Sequence, residues 1–70
     1  IKPYRMSDLV EASIDLLMVD DPKQLIDLKV LEDYQREVDF ELFTLVVKNL
    51  LDNGIKYSRE RHIRVIIQEG

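Results

Sequence analysis

The chain has no cysteine, which excludes a disulfide framework, a cysteine-ligated zinc site and a thiol nucleophile. Its fold must be held by packing alone, as expected of a protein in a reducing compartment. A basic excess is missing too: ten Lys and Arg stand against fourteen Asp and Glu, a net charge of -4 with an isoelectric point near 4.8. A surface that tracks nucleic-acid phosphates needs a basic stripe, so DNA and RNA are not expected partners. No apolar run approaches the roughly 18 residues of a membrane-spanning helix, and Ile1 to Met6 lacks the apolar region of a secretory signal. With only two glycines and two prolines, no linker, repeat or low-complexity tract divides the chain, and 70 residues leave room for one core.

What is present reads as a βαββαβ succession. Ile1, Tyr4 and Met6 alternate with Lys2 and Arg5 around Pro3, which suits a short edge strand. Ser7 is the predicted N-cap of a helix over Asp8 to Met18, with Val10, Ile14 and Leu17 as its apolar stripe and Asp20, Asp21 and Pro22 as its end. Leu25 to Leu31 alternates with period two, a half-buried strand whose core face would carry Ile26, Leu28 and Val30. Glu32 to Glu37 is a polar turn, with a very short strand around Tyr34 to Val38. Asp39 is placed to cap a second helix, with Glu41 in its first turn and dense apolar residues from Phe40 through Leu51. Ile63 to Ile67 is rich in β-branched residues and reads as a strand.

The second helix carries the one constellation with chemical content. With Asn49 taken as zero, Asn53 falls at roughly 40° and Lys56 at roughly -20°, one stripe along the helix. Phe43, Val46, Val47, Leu50 and Gly54 spread over roughly 60° to 160°, which sets the stripe at the border between core and solvent. Amide oxygens can ligate Mg²⁺ and a lysine can answer phosphate charge, so the stripe suits a polyanion that carries a hard cation. The residues alone leave two alternatives open. The stripe can be an ordinary surface, and Asn53-Gly54, a favoured turn dipeptide, can end the helix at Asp52 so that Ile55 to Tyr57 starts a strand.

The stretch from Glu37 to Ser58, and above all Asn49-Leu-Leu-Asp-Asn-Gly-Ile-Lys-Tyr-Ser58, resembles the N-box region of the bacterial sensor histidine kinases, whose pattern is N-L-L-x-N-A-x-K-Y-[ST]. The resemblance implies an α+β fold, a two-layer α/β sandwich of the ATP-binding type shared by histidine kinase, gyrase, Hsp90 and MutL families. Residues 1–70 would form the N-terminal half of that catalytic domain. The cofactors implied are ATP and Mg²⁺. Asn53 would be the Mg²⁺ ligand, Asn49 would face the phosphates, Lys56 would contact phosphate, and Tyr57 would lie near the adenine or ribose. Asn49 stands where related ATPases often carry a catalytic Glu, and an amide cannot serve as a general base toward water. Gly54 departs from the commoner Ala, a change that costs a helix about 1 kcal/mol.

The implied parent is a kinase that phosphorylates a His on its own dimerisation helices and passes the group to an Asp of a response regulator. Its ATP-binding part would be cytoplasmic, and the parent anchored in the bacterial inner membrane. His62, in Arg59-Glu-Arg-His62, lacks the neighbours of an acceptor-His box and is expected as an exposed loop or strand-start residue. The adenine-reading and lid segments of the family lie outside these 70 residues, so the isolated chain is expected neither to bind ATP tightly nor to be active, and to self-associate through uncovered apolar surface. Two other classes fit the residues: a small protein interaction module, and another ATPase or anti-sigma-type protein of the same fold.

Overall fold

A computed structural model of the chain describes residues 1–69, the side chain of Lys23 excepted. The order of elements is β1 (Lys2–Arg5), α1 (Met6–Asp15), α2 (Pro22–Leu25), β2 (Ile26–Val30), β3 (Gln35–Val38), α3 (Phe40–Tyr57) and β4 (Ile63–Ile67). This is the expected α+β succession with one short helix added. The strands form two ribbons: β1 pairs antiparallel with β3, placing Tyr4 opposite Arg36, and β2 pairs parallel with β4, placing Leu28 opposite Val65. A parallel pair needs a long crossover between its strands, and β3 with α3 supplies it.

The start of α1 differs from expectation. The N-cap is Arg5, whose side chain makes no capping bond, and Ser7 lies inside the first turn. The free amide of Ser7 donates instead to Asp33 Oδ1 (3.1 Å), and the Ser7 hydroxyl donates to Asp33 Oδ2 (2.6 Å). A carboxylate from the β2–β3 connection therefore does the work that a local Ser would do, satisfying an orphan amide and placing negative charge at the positive end of the helix. The Met6 amide is satisfied from the same connection, by the Tyr34 carbonyl at 2.8 Å.

Helix α1 also ends earlier than predicted, at Asp15, where Leu16 and Leu17 turn back onto the Ser13 and Ile14 carbonyls. Leu17 is nonetheless buried, as the stripe with Val10 and Ile14 requires. The helix α2 begins at Pro22, whose missing amide is harmless in a first turn. Before it, Asp21 takes a left-handed backbone (φ 48°), a conformation that Asp tolerates better than most residues.

The core draws on both ends of the chain: Val10, Ile14 and Leu17 from α1 and its end, Ile26 from β2, Leu51 and Ile55 from α3, and Ile67 from β4. Leu9 is fully buried beside them. On β2 the predicted alternation holds for Ile26, which is buried, and for Leu28, which is half-buried, but Val30 at the strand's end is exposed. Among the described residues two hydroxyls are buried, and each is satisfied within its own helix: Ser13 Oγ donates to the Leu9 carbonyl and Thr44 Oγ1 to the Phe40 carbonyl, both at 2.7 Å. They let α1 and α3 pack together without leaving an unpaired polar group.

Candidate functional site

Helix α3 begins where the sequence places it. The Asp39 carboxylate accepts from the Leu42 amide at 3.2 Å, Glu41 stands in the first turn and Lys56 in the last, so charge matches the helix dipole at both ends. The helix then runs without a break through Asn53 and Gly54 to Tyr57, which decides between the two readings of that dipeptide. Packing explains the outcome. Leu51 and Ile55 are 6% and 2% exposed, and Gly54 lies against Ile63 of β4, so the last two turns are held to the sheet whatever local preference Asn-Gly has. Beyond the helix the chain turns at Ser58, whose hydroxyl donates to the His62 carbonyl, and His62 is exposed just before β4, as expected.

The continuity of α3 keeps Asn49, Asn53 and Lys56 on one face, and all three are exposed. Tyr57 adjoins them, 77% exposed, with the Lys56 ammonium 5.6 Å from its ring centroid. The expected relation of this stripe to the core is corrected. The buried and half-buried residues of α3 are Phe43, Thr44, Val47, Lys48, Leu51, Gly54 and Ile55, which span roughly 120° to 260° on the projection with Asn49 at zero. The stripe thus stands opposite the core rather than at its border. Val46 and Leu50, predicted as core, are 50% and 65% exposed and flank the two asparagines.

The donor set suits a hard cation with phosphate, since two amide oxygens and an ammonium offer ligands for both. It stands on an open convex surface. Two clefts lie elsewhere: one of about 410 Å³ is lined by Glu11, Ile14, Asp15, Ile26 and Leu28, and another of about 480 Å³ by Ala12 and Asp15 of α1, Leu16 just beyond it, and residues of α3 that include Phe40 and Leu45. Among the described residues no group of three or more His, Cys, Asp or Glu is arranged to hold a metal, and no helix is long and apolar enough to cross a membrane.

Asp33 is the polar residue that sequence reasoning missed. The Ser7 hydroxyl, foremost, holds its carboxyl below the usual aspartate range; desolvation opposes this, and the Ser7 and Tyr34 amides and the charge of Arg5 add to the lowering. No local pattern could have found it, because its chief partner lies 26 residues away in sequence.

No protein-family model matches the chain, and no solved structure matches it. Sixty residues are 37% identical to the sensor histidine kinase ArsS of Helicobacter pylori, an alignment that covers 86% of this chain. The chain spans 14% of the length of that curated relative.

Proposed function

We propose, on the premise that this chain belongs to the sensor histidine kinase family, that residues 1–70 are the N-terminal half of the kinase's ATP-binding domain and that α3 forms one wall of its Mg-ATP site. The observation that carries the reading is the unbroken course of α3 through Asn53 and Gly54, which holds Asn49, Asn53 and Lys56 on one exposed helical face. Side chains on a rigid element grip a ligand more reproducibly than side chains on a loop.

In this reading Asn53 holds Mg²⁺ through its amide oxygen, Asn49 faces the phosphates one turn earlier, Lys56 answers their charge, and Tyr57 offers its exposed ring to the adenine or ribose. When bound, the metal supplies neutralisation of the phosphate oxygens and fixes their arrangement. Asn49 has no basic lone pair with which to deprotonate water, which suits a site whose acceptor is a protein histidine. The parent would then transfer the γ-phosphoryl group to its own histidine and onward to an aspartate of a response regulator, from a cytoplasmic domain of a membrane-anchored protein.

The test is Mg-ATP binding by the parent kinase, followed by calorimetry. Asn53→Ala should abolish measurable binding while leaving the unfolding temperature of the domain unchanged. Unaltered affinity in that variant would refute the assignment and favour an interaction module. The 70-residue chain alone should show no micromolar affinity for Mg-ATP, and tight binding there would overturn the half-site reading.

A further inference from the structure

The chain holds two asparagines, and the residues that follow them differ: Leu50 after Asn49, Gly54 after Asn53. A glycine nitrogen can attack the side-chain amide of a preceding asparagine with no Cβ in its way, which makes Asn-Gly a chemically short-lived pairing. In α3 two features oppose that reaction. The Gly54 amide is committed to the Leu50 carbonyl one turn back. Ring closure also requires the Asn53 Cα–Cβ bond to eclipse the bond from its carbonyl carbon to the Gly54 nitrogen, which a helical ψ of about -42° does not permit. The reaction therefore runs only while the last turns of α3 are open. Their end is lightly fastened: the Ser58 amide reaches the Ile55 carbonyl at 3.4 Å, the Arg61 amide reaches the Ser58 carbonyl at 3.3 Å, and Arg61 takes a left-handed backbone (φ 52°). Gly54 is itself a poor helix former, so the burial of Leu51 and Ile55 is what keeps these turns closed.

We propose that Asn53 is a site of spontaneous deamidation, gated by opening of the C-terminal turns of α3. In the open state the Gly54 nitrogen attacks Asn53 Cγ and gives up its proton, the Cγ–Nδ2 bond breaks and ammonia leaves, closing a five-membered imide. Water then opens the imide at either carbonyl. Attack at Cγ gives aspartate, and attack at the former main-chain carbonyl gives isoaspartate, in which the chain runs through Cβ and Cγ. Both products replace an amide with a carboxylate, adding one negative charge to a chain already at -4. The isoaspartyl form also lengthens the backbone by one methylene, which breaks the spacing that an α-helix repeats. The reaction needs only water besides the chain itself, so it does not depend on what covers the segment in the parent. Its consequence for the kinase rests on the Mg-ATP reading above: an amide oxygen engaged on Mg²⁺ and a helix end held against nucleotide are withdrawn from the reaction. Occupancy then protects Asn53, and the idle kinase loses its metal ligand with age.

The experiment is incubation of the parent kinase at mildly alkaline pH, folded and in urea, with peptide mapping by mass spectrometry to follow the amide, aspartyl and isoaspartyl forms at both asparagines. Asn53 should convert in the folded kinase about ten- to hundredfold more slowly than in urea, the ratio being the fraction of time the turns are open. Asn49, about two turns farther from the helix end and followed by a bulky residue, should stay intact in the folded protein. Gly54→Ala should slow conversion of folded Asn53 about fourfold or more through the gain in helix stability alone. The proposal is overturned if folded Asn53 is intact after a time in which a hundredfold slower rate would have converted half of it. Equal rates in the folded kinase and in urea would overturn it too, as would conversion of Asn49 alongside Asn53 or indifference to Gly54→Ala. Saturating Mg-ATP should slow the folded reaction further. Conversion at Asn53 that ignores Mg-ATP would count against the metal-ligand assignment while leaving the deamidation site established.

Discussion

Replacing Gly54 with alanine tests whether the last turns of α3 are helical in solution. A Cβ built at Gly54 would meet only Cδ1 and Cγ2 of Ile63, both at 3.5 Å, an ordinary van der Waals separation. No steric penalty is therefore due, and no glycine of the described chain has a positive φ that alanine would strain. Within a helix the exchange is worth about 0.8–1.0 kcal/mol in favour of alanine. A partly buried methyl against Ile63 adds up to about half of the ~0.8 kcal/mol of a fully buried one, for a total of about 0.8–1.4 kcal/mol. At this chain length each kcal/mol moves the melting temperature by about 4–8 °C, so Gly54→Ala should melt about 3–11 °C higher by circular dichroism. If Asn53-Gly54 formed a tight turn instead, glycine would occupy a left-handed conformation and alanine would destabilise. A melting temperature that falls or stays constant would refute the continuous helix, and with it the common face of Asn49, Asn53 and Lys56.

Three further outcomes follow from the packing and the caps. Asp33 has a folded pKa below its unfolded value, so its stabilisation is present above the ordinary aspartate range and is lost as pH falls through the folded value; Asp33→Asn should be less stable than the parent chain at neutral pH and lose less on acidification below about pH 4, as read from urea midpoints in a pH series. Ile55→Ala removes a side chain only 2% exposed and should cost about 2–5 kcal/mol, enough to abolish a cooperative thermal transition in a domain this small. Arg64→Ala breaks a 3.2 Å pair to Asp27 whose side chains are 63% and 48% exposed, and should shift a urea titration by less than about 0.5 kcal/mol.

The elements legible in the sequence were those whose signal is local. Strand β4 matches its β-branched run from Ile63 to Ile67, β2 follows its period of two, and Asp39 caps α3 as its position demands. The start of α1 was not legible, because Ser7 is a plausible local cap and only the folded chain brings Asp33 to it. The helix α2, four residues long, is hidden in a stretch where Asp20-Asp21-Pro22 reads as a stop. On α3 the shared face of Asn49, Asn53 and Lys56 followed from helical geometry, but the side that turns inward did not. Apolar residues surround that helix almost completely, and contact with α1 and β4 selects Thr44, Leu51 and Ile55 over Val46 and Leu50. For β2 the alternation gave the inward face without showing that cover stops short of Val30.

The wide separation of paired segments bears on how the chain is made. At a synthesis rate of about 5–20 residues per second, the residues of α1 leave the ribosome a second or more before Asp33 arrives to complete that helix's start. Strand β2 then waits for β4, since Asp27 and Arg64 sit opposite each other 37 residues apart. Val10 and Ile67 share one cluster, so this hydrophobic cluster cannot close until Ile67 has been added. Folding is thus a late, all-or-none event for this segment, and a nascent chain halted before Ile67 should remain open to proteolysis.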